Sequence, residues 1–205
     1  MCYLAVLLHQ PMKKNRINMK IKNFLLFTLT LLFGYVDAQA GEWLNKLGEW
    51  KDFIIDDVKM IRCYHNYDVY VPFYAWHNRL TYDNEHLDRY NENAWGAGLG
   101  ISRYNQENTW SGIYAMAFKD SNSYVETYFG YARQWNLVAG KDEQWRVGAG
   151  YTLGLTQRHE YAYIPVPLPL PLVGVGYRGI NIQAAYVPGI KNDGNVLFVF
   201  SRFEF

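Results

Sequence analysis

From Glu42 to Arg62 the apolar residues Trp43, Leu47, Trp50, Ile54, Val58 and Ile61 return every three or four positions, while Lys46, Glu49, Asp52, Asp56 and Lys59 occupy other faces. That period predicts an amphipathic helix over residues 41–65. Its two tryptophans and mixed charge suit a membrane interface, although such a helix also packs on a soluble core. Beyond Arg62 the pattern becomes short aromatic runs separated by turn residues, and eight are counted: Tyr67–Tyr82, Trp95–Tyr104, Trp110–Lys119, Tyr124–Trp135, Gln144–Gln157, Tyr161–Val175, Ile180–Val187 and Val196–Phe205. Asn105–Asn108, Ala139–Asp142 and Gly189–Asn195 read as turns between them. Eight antiparallel strands of this length fit a small outer-membrane barrel, in which closure removes every free edge. The predicted fold is therefore all-β: an eight-stranded antiparallel transmembrane β-barrel over 66–205, preceded by an amphipathic helix.

The last run shows what the barrel would contain. In VLFVFSRFEF one face carries Leu197, Val199, Ser201, Phe203 and Phe205, and the other carries Val196, Phe198, Phe200, Arg202 and Glu204. With the first face toward lipid, Arg202 and Glu204 make the lower lumen polar, and Phe198 and Phe200 make the upper lumen apolar. A channel needs water there, whereas an apolar lumen suits a hydrocarbon chain.

Composition agrees with strands at a membrane. The 205 residues include 18 Tyr, 11 Phe and 7 Trp, side chains that favour strands and membrane interfaces. Residues 1–40 read as a signal peptide, removed after Ala40. Lys13, Lys14, Arg16, Lys20 and Lys22 precede the apolar run Phe24–Phe33, and Ala38-Gln39-Ala40 has the small-x-small form. That run is too short to span a bilayer as a helix. The leader carries a net +4 out of the total of +1, so the remainder carries −3, which gives no sign of a nucleic-acid partner. Cys2 leaves with the leader and Cys63 remains alone, so no internal disulfide is expected.

Candidate chemistry starts at His77, where the run Tyr67–Tyr82 gives way to the polar stretch Asp83–Asn93. If the first strand rises from the inner side, the link from the third strand to the fourth, Lys119–Ser123, lies at the same outer rim. Strand counting thus brings His77, Asp120 and Ser121 together, although Asp and Ser are also ordinary turn residues. His65, His77, His86 and His159 have no metal-ligand spacing, and the glycines form no phosphate-binding fingerprint. No metal and no cofactor is expected.

Trp76-His77, Arg89-Tyr90-Asn91-Glu92, Trp95-Gly96, the block Tyr114–Ser121 (YAMAFKDS), Tyr163-Ile164-Pro165, Val175-Gly176-Tyr177, Tyr186–Gly189 and Asn192–Val196 resemble the PagP family of lipid A palmitoyltransferases. The likeness runs essentially from Glu42 to Phe205. It implies an outer-membrane enzyme that moves a palmitoyl or similar chain from the sn-1 position of a phospholipid to a hydroxyacyl chain of lipid A. It also implies resistance to cationic antimicrobial peptides, with a monomer or homodimer in the membrane. The family's active-site residues fall on His77, Asp120 and Ser121. His77 would move the proton and Asp120 would orient it. That Ser121 directly follows Asp120 argues against a relay in the serine-hydrolase manner, and Ser121 is expected to act either as nucleophile or as a hydrogen-bond partner of the ester or head group.

The resemblance further marks Pro72, Pro171 and Pro188 as lateral-gate prolines, since a residue without an N–H interrupts a strand ladder. Ala94 replaces a family proline, and Pro165, Pro167 and Pro169 extend the sixth-strand tract. Ala132 stands where the family commonly has the glycine that floors the acyl pocket, so the pocket should be shallower. Arg158, His159 and Lys119 are candidates to meet lipid A phosphates or to be ordinary surface. Two other classes stay open on residues alone: a non-catalytic small barrel, whose lumen should be polar and filled, and a lipocalin-like carrier, which should partition into water.

Overall fold

The computed structural model of the protein describes residues 40–140 and 144–205, and the expected leader lies outside them except for Ala40. Helix α1 (Ala40–Cys63) leads into strands β1 (Asn66–His77), β2 (Gly96–Tyr104), β3 (Trp110–Lys119), β4 (Val125–Ala139), β5 (Trp145–Gln157), β6 (Val166–Tyr177), β7 (Ile180–Val187) and β8 (Val196–Glu204). A short helix, α2 (Asn84–Arg89), interrupts the loop after β1. The strands close as an antiparallel barrel in chain order, β8 pairing with β1.

Three of the expected runs differ in extent by more than one residue. The first ends at His77 rather than Tyr82, because Asn78 starts a turn: its carbonyl accepts from the Thr81 N–H and its side chain from the Leu80 N–H. The fourth continues to Ala139. The sixth begins only at Val166, since His159–Tyr161 forms a 3₁₀ turn followed by Ala162 and Tyr163, both with left-handed backbone.

Alternation divides the wall into a lipid-facing and a lumenal side. Leu99, Phe129, Trp135, Leu137, Val147, Val173 and Ile182 are exposed on the outside. Out of phase with them, Tyr70, Tyr114, Met116, Phe118, Tyr128, Leu168, Leu170, Leu172 and Phe200 are buried in the lumen near the His77 end. Toward the far end the lumen turns polar. Arg202 donates to Asp68 (2.9 Å), Ser102 (3.3 Å) and Tyr104 (2.8 Å) and lies 4.6 Å above the Trp110 ring. Beside them Gln183 donates to Gln134 at 3.0 Å. The split read from β8 alone therefore holds around the whole barrel.

A layer of tyrosines separates the two halves. Tyr70, Tyr114 and Tyr128 stack in series, with centroids 4.8 and 5.7 Å apart, and the hydroxyls of Tyr114 and Tyr128 both meet Thr152 Oγ1, at 2.7 and 2.9 Å. Glycine makes room for this layer. A Cβ at Gly100 would stand 2.8 Å from both Tyr114 Cβ and Tyr70 Cε2, closer than packed atoms tolerate.

Two ladders stop halfway. β1 pairs with β2 only from Asn66↔Ser102 to Tyr70↔Gly98, although β1 runs on to His77. β6 pairs with β7 only from Leu172 to Tyr177, although β6 starts at Val166. The stretch of β6 without a β7 partner is VPLPLP, in which each leucine points inward and each proline, lacking a donor, points out.

Helix α1 rests against the outside of the barrel. Asp57 reaches Arg103 (3.1 Å), Arg133 (2.9 Å) and the Tyr131 hydroxyl (2.7 Å), all on the outward phase of β2 and β4. Phe53 lies under the Arg133 guanidinium, and Trp50 packs 5.6 Å from Tyr151. Leu47 and Trp50 keep exposed surface, so the stripe that predicted the helix is only partly spent on the barrel.

Candidate active site

A bulge decides that His77 enters the lumen. Asp68, Tyr70 and Pro72 point inward, and unbroken alternation would next turn Tyr74 and Trp76 inward and His77 out. Instead β1 slips by one residue against β8: Pro72 pairs with Phe200 but Tyr74 pairs with Val199, leaving Phe73 extra. Phe73 and Tyr74 both face outward, and Ala75 and His77 return to the inside.

His77 is buried, with its ring stacked on Tyr90 (5.1 Å, 26°) and edge-on to Tyr82 (5.1 Å, 88°). Its Nε2 lies 2.9 Å from Ser121 Oγ. Its Nδ1 lies 3.2 Å from Glu92 Oε1, an oxygen that also accepts the His77 backbone N–H at 3.0 Å. Arg79 holds the carboxylate with two parallel hydrogen bonds, 2.5 and 2.7 Å, and this pairing draws the Glu92 carboxyl down to about 2.

Ser121 and Asp120 sit on the β3–β4 turn. Asp120 shapes that turn: Oδ1 accepts from the backbone N–H of Asn122 and of Tyr124, both at 2.9 Å, and its carbonyl accepts from Ser123, whose backbone is left-handed. Oδ2 is buried without a hydrogen-bond partner among the described residues. The position beside the histidine that the sequence assigned to Asp120 is held by Glu92.

The loop from Asn78 to Trp95 ties the two halves of the site together. The Asn91 N–H donates to the Ser121 carbonyl (2.8 Å), while the neighbouring Glu92 engages His77 and, through its carbonyl, the Ala75 N–H (2.9 Å). The same loop is latched to the β7–β8 turn: Asp83 and Asn192 exchange hydrogen bonds, and the Tyr82 hydroxyl donates to the Gly194 carbonyl. Glu92 escaped the sequence reading because a loop residue has no period. The only signal was its place in the Arg89–Glu92 block.

Of the other expected residues, Pro72 lies at the bulge, Pro171 where the β6–β7 ladder begins to fail, and Pro188 just past β7. Ala94 is buried at the loop's end. Ala132 is fully buried on the lumenal side, paired with Gly112 and Thr152, level with the hydroxyls of the tyrosine layer. Arg158 is not a free cation, since it pairs with Glu126 (3.2 Å) and Glu160 (3.9 Å), and His159 stacks on Tyr124. No cluster of three metal-ligating side chains occurs among the described residues.

Residues 57–202 match the family model described as "Antimicrobial peptide resistance and lipid A acylation protein PagP". The chain belongs to the PagP family. A PagP described as a lipid A acyltransferase from Proteus mirabilis is 54% identical over 139 residues, 67% of this chain and 66% of the relative. One from Sodalis glossinidius is 43% identical over 183 residues, covering 88% and 95%. The PagP of Escherichia coli O157:H7, described as a lipid A palmitoyltransferase, is 41% identical over 181 residues, covering 87% and 93%. The barrel with its leading helix is thus a PagP barrel.

Proposed function

We propose that this PagP is an outer-membrane lipid A acyltransferase that takes a palmitoyl or similar chain from the sn-1 position of a phospholipid and places it on a hydroxyacyl chain of lipid A. Its product would contribute to resistance to cationic antimicrobial peptides. The observation that carries this reading is the His77–Ser121 contact at the mouth of a lumen that is apolar only on that side. A head group and ester can sit at the rim while the chain hangs into the barrel. The apolar exterior disfavours a carrier that partitions into water, and the apolar upper lumen disfavours a barrel filled for purely structural ends.

The His77 end faces outward from the cell, α1 lies at the periplasmic interface, and residues 1–40 are removed on export. His77 Nε2 accepts the proton of the attacking hydroxyl and returns it to the leaving glycerol oxygen. Ser121 stands where that proton is exchanged, and Asp120 shapes the turn that carries it. The donor enters sideways where β1 and β2, or β6 and β7, leave their ladders open, with Pro72, Pro171 and Pro188 keeping the openings from closing. Ala132 and the tyrosine layer floor the chain pocket.

Mass spectrometry of lipid A from cells with and without the protein, beside a His77→Ala control, tests the proposal. One additional acyl chain that disappears in the control is the expected result. No mass shift from an inserted barrel, with phospholipid present in the outer leaflet, overturns it.

A further inference from the structure

We propose that Glu92 is the positioning residue of a Ser121–His77–Glu92 relay, and that Arg79 keeps it in that position. The inference rests on reading His77 as the proton carrier. An ionised carboxylate only accepts hydrogen bonds, and Glu92 is surrounded by donors. Oε1 takes the His77 backbone N–H, His77 Nδ1 and Arg79 Nη1; Oε2 takes Arg79 Nη2 and the Tyr74 hydroxyl (3.2 Å). The proton of a neutral His77 is therefore held on Nδ1, and the lone pair on Nε2 faces Ser121 Oγ. Arg79 fixes both ends of the arrangement, since Nη1 also donates to the His77 carbonyl at 2.8 Å. The rings of Tyr90 and Tyr82 set the imidazole plane.

The proton account closes on these atoms. As the acceptor's hydroxyl oxygen bonds to the ester carbonyl carbon, its proton passes to Ser121 Oγ while the Ser121 proton passes to Nε2. The imidazolium is then stabilised by the Glu92 charge, and as the ester C–O bond breaks, the Nε2 proton passes to the glycerol oxygen. Glu92 stays ionised and the Nδ1 proton does not move. The charged and titratable groups facing the ring are Glu92, Arg79, Tyr82 and Tyr90 from the long loop and, at longer range, Arg158 from the β5–β6 connection. Arg158 is already matched by Glu126 and Glu160, which leaves Glu92 as the anion that sets the histidine.

Glu92→Gln keeps the shape and removes the charge. In the inserted full-length barrel, kcat should fall about a hundredfold or more, while the donor KM changes little. The rising limb of the pH–kcat profile should move to lower pH, because the imidazolium loses its counter-charge. Glu92→Asp should recover part of the rate, and Arg79→Gln should give a milder fall with the limb moving to higher pH, because a cation beside the imidazolium is lost. Nitrogen-15 spectra of wild-type His77 should show the Nδ1–H tautomer. An Nε2–H tautomer in the wild type overturns the proposal without any variant having to fold. A folded Glu92→Gln barrel with an unshifted limb and an unchanged tautomer also overturns it, even if slower, because that is what a merely structural residue would give. If His77→Ala is fully active, the site reading itself fails; if His77→Ala is dead and Glu92→Gln behaves as wild type, only the role of Glu92 fails.

Discussion

Absorbing Phe73 into a bulge keeps His77 pointing into the lumen. Phe73 is the single residue by which β1 outruns β8, and both it and Tyr74 face lipid. Deleting Phe73 restores plain alternation while leaving Ala75 and His77 inside, so the deletion should retain acyl transfer. Inserting one alanine between Ala75 and Trp76 turns His77 outward and should abolish transfer although the barrel still inserts. Lipid A mass spectra beside a gel assay of folded barrel separate these outcomes.

Ala132 shares its level with Thr152 and the tyrosine hydroxyls above it. Removing its methyl group should deepen the pocket. Ala132→Gly is expected to favour a longer donor chain and Ala132→Leu a shorter one. A methylene gained or lost in an apolar pocket is worth about 1–3 kcal/mol in selection. The masses of the chains added to lipid A from a mixed donor pool read the change directly.

Asp57 joins α1 to the barrel wall. Burial alone would raise its carboxyl, but hydrogen bonds from Ser111, Tyr131 and Arg103 and the charge of Arg133 outweigh that and hold it below 3.8. A group lowered on folding contributes stability above its unfolded value and loses it as the pH falls through the folded one. Asp57→Asn should therefore melt several degrees below the wild type in detergent at neutral pH, and the difference should narrow as the pH drops below 3.8. A constant difference across that range would show that charge plays no part in holding the helix.

Arg202 is buried against Asp68 at the far end of the lumen. Arg202→Met leaves the buried Asp68 carboxylate without its counter-charge and should cost about 3–5 kcal/mol in denaturant unfolding. Adding Asp68→Asn should recover much of that loss.

The eight runs, the split lumen and the meeting of His77 with Ser121 were legible in the sequence because each follows from a period or a strand count. What was not legible depends on exceptions to period. Pro72-Phe73-Tyr74 shows no outward mark of a bulge, and simple alternation places Trp76, not His77, in the lumen. Glu92 acts from a loop whose path is set by contacts with Ser121, Ala75 and the β7–β8 turn, all distant in sequence. The tract Tyr161–Pro165 is as aromatic as a strand, but Ala162 and Tyr163 take left-handed backbone that a ladder excludes. Asp120 was readable as a residue at the rim. Its duty in shaping the turn was not.

The polar network around Arg202 has a consequence for the membrane as a barrier. A tube open at both ends would conduct ions, and one blocked at both ends would admit no hydrocarbon. Here the arginine, its carboxylate and the surrounding amides cork one end, and among the described residues the gaps in the wall face sideways. Such a protein can stand in the outer membrane with a greasy slot inside it and yet add no electrical leak to the cell that carries it.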